Sequence, residues 1–120
     1  MDIDRSGLLK ATRDEPNPKD YTPDSARVAP LLSAMLPESR DALPPRVDLR
    51  PVCTPIKDQR DLGACTAFST TGMMEYYFNL RHQRELSLSP LFTYFVTRSY
   101  QHQTGDTGSS NRGALASLVL

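Results

Sequence analysis

Cys65 follows a polar loop, Asp58 to Ala64, and stands where a helical apolar pattern begins. A thiol in the first turn of a helix meets free N–H groups and the positive end of the macrodipole. Both favour the thiolate, which is the nucleophilic form. Gly63 allows the backbone to bend sharply just before it. Gln59 lies six residues earlier, near enough for its amide to turn back toward the cysteine. An amide donor beside a backbone N–H makes an oxyanion-binding pair. That arrangement suits attack on a carbonyl carbon.

Such a thiol needs a general base and a group to orient it. The two histidines do not serve. His82 is seventeen residues along from Cys65, and on one continuous helix that is roughly 25 Å at 1.5 Å per residue. It reads as a C-terminal cap or a solvated side chain. His102 falls in a glutamine-rich loop and reads as solvated. Cys53 reads as a buried structural thiol. Cys53, Cys65, His82 and His102 lack the paired spacing of a metal site. Neither a phosphate-binding loop nor a dinucleotide fingerprint is present, so no cofactor is expected.

The elements that must position Cys65 follow from caps and breakers. A largely buried helix is expected from Cys65 onward, through Ala67, Phe68, Met73, Met74, Tyr76, Tyr77, Phe78 and Leu80. Gly72 inside it points to a close approach by another element. Ser89-Pro90 is a helix start, an N-cap hydroxyl followed by a first-turn proline; that helix is expected to run to about Tyr100. Gln101 to Asn111 reads as loop, with Gly105 and Gly108. A last helix is expected from Ser110 or Asn111, with Leu115, Leu118 and Leu120. It ends on an apolar stripe without a stop signal. Either it is a short docked helix, or the chain is cut in mid-domain.

Seven of the ten prolines fall in the first 45 residues. They exclude a long helix or an inner strand there and leave an extended arm. Its one helix candidate is Ala29 to Leu36. The arm reads as docked on the body through its apolar residues, with a disordered linker as the alternative. From Pro45 to Lys57, Val47, Leu49, Val52 and Ile56 suggest short extended pieces broken at Pro51 and Pro55.

The chain has 120 residues, 14 basic against 14 acidic, for a formal charge of zero. This leaves no basic excess for nucleic acid or an anionic membrane surface. The apolar stretches are too short to span a membrane. The acidic start, Met-Asp-Ile-Asp-Arg, does not read as an export signal, so a cytoplasmic location is expected. Two cysteines are too few for a disulfide-framed module.

At Gln59, Gly63, Ala64 and Cys65 the chain resembles the papain-like cysteine peptidases. The resemblance extends upstream through Leu43-Pro-Pro-Arg-Val-Asp-Leu-Arg50, which looks like the start of the mature enzyme. Downstream, Leu88-Ser-Pro-Leu-Phe-Thr-Tyr94 resembles a family helix start, and Asp106-Thr-Gly108-Ser109 a glycine-bearing substrate strip. Cys65-Thr66, where most members have an aromatic residue second, is most similar to bacterial and archaeal members. Leu62 stands where many have a cysteine, and Ser109 where a second glycine is common.

The resemblance implies an α+β, papain-like fold, represented by its helix-rich N-terminal half with a central nucleophile-bearing helix. Residues 1–43 would be a propeptide-like arm and 44–120 the truncated half-domain. Cys65 would be the nucleophile, with Gln59 and the Cys65 N–H holding the oxyanion. Gly63, Gly108 and Ser109 would bind the substrate backbone. The family's histidine and asparagine lie about 130–150 residues beyond the cysteine, outside this chain. The implied function is thiol-dependent hydrolysis of a peptide or protein substrate, completed by the missing C-terminal half. The chain alone is expected to be inactive. The alternative is a non-catalytic relative that binds a partner or peptide.

Overall fold

The computed structural model describes residues 11–35 and 44–119. Two compact units result, one of Glu15–Leu49 and one of residues 11–14 with 50–119. The expected roles of Met1 to Lys10, Leu36, Leu43 and Leu120 lie outside the described residues.

In the first unit, Asx and hydroxyl turns set the path. The Lys19 N–H donates to Asn17 Oδ1 at 2.9 Å, and the Thr22 N–H to Ser25 Oγ at 2.7 Å. Such side chains offer the backbone an alternative to helix or ladder bonds. Arg27 donates to the Tyr21 hydroxyl at 2.7 Å. Helix α1, Ala29–Met35, forms where the leucine spacing predicts it, with Pro30 in its first turn. It carries no buried residue.

The second unit holds the sequence-predicted helices. Helix α2 runs over Cys65–His82 and ends at Gln83 in the left-handed conformation. Helix α3 is Pro90–Tyr100, with Ser89 Oγ accepting from the Phe92 N–H at 3.2 Å. Helix α4 is Asn111–Ser117, capped by Ser110 through the Gly113 N–H at 3.1 Å. Helices α2, α3 and α4 pack on one another. Between Pro45 and Lys57, where short extended pieces are expected, Arg50–Val52 makes a single 3-10 turn and the rest pairs in no sheet. Among the described residues, no helix is long and apolar enough to cross a membrane.

A strand pair joins chain segments nearly a hundred residues apart. Strand β1, Ala11–Thr12, lies parallel to β2, Ser109–Ser110, with Ala11 opposite Ser109. The residues between them supply the crossover that a parallel pair requires.

The core is small and rich in hydroxyls. Ala64, Ala67 and Tyr94 are buried together, with Phe68 packed against them. Thr70, Thr71 and Thr97 are also buried. Their hydroxyls donate to carbonyls one turn back, at 2.7, 2.8 and 2.7 Å. A buried hydroxyl is tolerated because it finds an acceptor in its own helix.

The expectation of a largely buried α2 is corrected here. Its buried residues are Thr66, Ala67, Thr70, Thr71 and Glu75, whereas Tyr77 is 60% exposed and Leu80 53%. Gly72 is corrected likewise, since a Cβ there would meet nothing within 4 Å. The close approach occurs at Gly113, where a Cβ would lie 2.3 Å from Gln101 Nε2. Cys53, expected to be buried, is exposed.

Glu75 is 1% exposed, and both its oxygens are used. Thr54 Oγ1 donates to Oε2 and the Leu88 N–H to Oε1, each at 2.5 Å, and Lys57 pairs with Oε1. Lys57 Nζ also donates to the Leu88 carbonyl at 2.6 Å. Burial acts to raise the Glu75 pKa, but Lys57, Thr54 and the Leu88 N–H overcome it and hold the carboxyl below its ordinary range. The network fixes the segment that leads into the Gln59 loop.

Candidate active site

Cys65 is the first residue of α2, a free thiol and half-buried. Ala64 occupies the N-cap position, and no side chain caps the helix. The first-turn N–H groups and the positive end of the helix dipole therefore lie beside the sulfur with no side-chain cap upon them.

The loop before Cys65 is tightly turned. Arg60 adopts a left-handed φ of 52°, and its N–H donates to Asp58 Oδ1 at 2.9 Å. This turn carries the Gln59 amide onto the Leu62 carbonyl, to which its Nε2 donates. One donor of the Gln59 amide is thereby engaged by a backbone carbonyl of its own loop.

The Gly63 N–H is also engaged, donating to Asp106 at 3.0 and 3.1 Å to the two carboxylate oxygens. Asp106 Oδ1 accepts the Tyr94 hydroxyl at 2.6 Å as well. Tyr94 is buried. Its pKa is raised, first by burial and then by its bond to Asp106, so the phenol stays protonated and donates.

Gly108 adopts a φ of +85°, a left-handed conformation that glycine takes without strain. Its N–H donates to the Tyr94 oxygen at 3.2 Å, and its carbonyl accepts from Arg98. Arg98, in the last turn of α3, is buried against the loop and also donates to the Thr104 carbonyl at 2.8 Å and Thr107 Oγ1 at 3.1 Å.

Ser109 is fully buried. Its hydroxyl bonds to Thr66 Oγ1, one residue beyond the thiol, and its backbone lies against Ala11 of β1. Asp14 then holds residues 11–14 to the start of α4. Its Oδ2 accepts the Arg112 N–H at 2.9 Å, and Arg112 Nη1 lies 4.0 Å from Oδ1. Burial acts to raise the Asp14 pKa, but the Ser110 hydroxyl, the Arg112 N–H and charge and the Asn111 N–H lower it overall.

The structure thus joins Gly63 to Asp106 and sets Thr66, beside Cys65, against Ser109. The expected site residues Gly63, Gly108 and Ser109 bond to the protein's own groups. Tyr94, Arg98 and Asp14 were not singled out by sequence. A helical Tyr94 reads as core packing, and Asp14 sits in a segment without periodicity. Among the described residues, no three His, Cys, Asp or Glu side chains gather to hold a metal ion.

The profile for papain family cysteine proteases matches residues 43–112. The chain belongs to that family. Among its relatives is the viral cathepsin of Cydia pomonella granulosis virus (isolate Mexico/1963), 30% identical over 95 residues. The match covers 73% of this chain and 27% of the relative, so the chain spans about a quarter of the relative's length. No solved structure matches. The helix-rich body with its small sheet is compatible with an α+β papain-like fold.

Proposed function

We propose that this chain is the nucleophile-bearing part of a cysteine peptidase, with Cys65 as the attacking thiol. The supporting observation is a free, half-buried cysteine at the first residue of an uncapped 18-residue helix, beside a loop tied back to Gly63. The Cys65 sulfur attacks a peptide carbonyl carbon. The carbonyl oxygen becomes an oxyanion, held by the Cys65 N–H and by Gln59 once its amide leaves Leu62. An imidazole from the rest of the full-length protein takes the thiol proton and delivers it to the departing amine, and water hydrolyses the thioester to free the thiol and the acid. The substrate is a peptide or protein, with no role for nucleic acid or membrane. Apolar side chains left open on α2 and α3, Tyr77 and Phe95 among them, suit burial under that remaining half. Thr66 after the cysteine supports the bacterial and archaeal type.

Residues 11–14 act as a cover for the substrate strip. Support comes from β1 lying along Ser109–Ser110 and Asp14 bonding beyond it. A bound peptide needs the same edge.

A second reading, a non-catalytic relative that binds a partner or peptide, draws on the Gln59–Leu62 bond and the occupied strip. Labelling the full-length protein with a peptidyl epoxide separates the two readings. Rapid modification at Cys65, lost in Cys65→Ser, supports the peptidase. A rate no faster than that of a free peptide thiol supports the binder.

A further inference from the structure

Two loops that must act together are joined through one carboxylate and one phenol. The Gly63 N–H, two residues before Cys65, donates to Asp106 at 3.0 Å. Asp106 Oδ1 takes the Tyr94 hydroxyl at 2.6 Å, and the same Tyr94 oxygen accepts the Gly108 N–H at 3.2 Å. Arg98 closes the far side, donating to the Gly108 carbonyl while its guanidinium lies 5.3 Å from the Tyr94 ring centre. Gly63, Gly108, Tyr94 and Arg98 are all buried. Buried polar groups joined in this way hold one geometry, because breaking any link leaves a group unsatisfied.

We infer that Asp106 and Tyr94 are positioning residues which lock the peptide plane before the nucleophile to the glycine of the substrate strip. Neither need touch the substrate. The inference rests on Cys65 being the nucleophile, and it assigns the register between thiol and strip to a hydrogen-bonded relay.

Tyr94→Phe removes one oxygen and keeps the ring, and Asp106→Asn keeps one carbonyl oxygen to accept from Gly63. Two readouts apply to the full-length protein. In Tyr94→Phe, the Gly63 and Gly108 amides should exchange hydrogen together, at least about 10-fold faster, with α2 amides unchanged. Labelling of Cys65 by a peptidyl epoxide, which needs both strip and thiol, should slow about 5-fold or more. Iodoacetamide, which needs only the thiol, should stay within about 2-fold. Asp106→Asn should fall between wild type and Tyr94→Phe. Faster exchange at one glycine alone, or an equal change in both labelling rates, overturns the relay. Uniformly faster exchange across the fold overturns it too, since that marks general destabilisation. If wild-type Cys65 ignores the epoxide, the peptidase reading fails, and amide exchange still decides whether the relay exists.

Discussion

Asp14 Oδ2 accepts the Arg112 N–H at 2.9 Å, so the segment that carries β1 is held at the first turn of α4 just beyond the strip. The bond is charge-assisted and partly exposed, worth about 1 kcal/mol after screening. Asp14→Ala should therefore loosen β1 and speed peptidyl-epoxide labelling of Cys65 by roughly 5-fold. Its pH dependence has a fixed sign. The folded pKa is lowered, so the bond is intact above the ordinary aspartate value of 3.8 and is lost as pH falls through the lowered one. Labelling against pH in wild type and Asp14→Ala checks this. The two curves should converge at the acid end.

Lys57→Met should destabilise the fold by about 3–5 kcal/mol, because it strands a buried carboxylate at Glu75. Lys57→Met with Glu75→Gln should recover part of the loss, as measured by urea unfolding. Glu75 contributes stability above its ordinary value of 4.5, lost as pH falls through its lowered folded pKa.

The two helical glycines should respond oppositely to alanine. Gly72→Ala meets open space in α2 and should stabilise by about 0.5–1 kcal/mol. Gly113→Ala would drive a Cβ to 2.3 Å from the Gln101 amide; the Gln101 side chain must swing off Ser110 to make room, and the variant should lose about 1 kcal/mol. Thermal unfolding of the two variants reads the sign directly.

Thr66→Val leaves the Ser109 hydroxyl buried without its partner. A cost of about 1–3 kcal/mol is expected, and Thr66→Ser should restore most of it. Equal stability of the Val and Ser variants would show that the bond contributes nothing.

These contrasts mark what the sequence discloses. Ser89-Pro90 and Ser110 announce their helices because capping is local chemistry, written within four residues. Cys65 has no such cap, and its helix start is legible from the change out of the polar Asp58–Ala64 loop into an apolar helical pattern. The β1–β2 pair is not, since two-residue strands carry no alternation and their partners lie far apart in sequence. Thr66, Thr70, Thr71 and Thr97 carry no apolar signal, yet they fill the interior, where tertiary contacts and back-bonding override their polarity. Gly72 misled because a helical glycine signals close packing only when a neighbour is present. The Gln59 side chain could not be read either. Its amide follows the left-handed turn at Arg60, a backbone choice that residue type does not dictate.

The most direct test of the account is the rate at which Cys65 of the full-length protein reacts with a peptidyl epoxide. Intact mass and peptide mapping would locate the adduct. The account predicts one adduct, on Cys65 and not on the exposed Cys53, formed at least about 100-fold faster than on a free peptide thiol. It also predicts that peptide hydrolysis disappears with the label. Equal labelling of Cys53 and Cys65 at the free-thiol rate would contradict it.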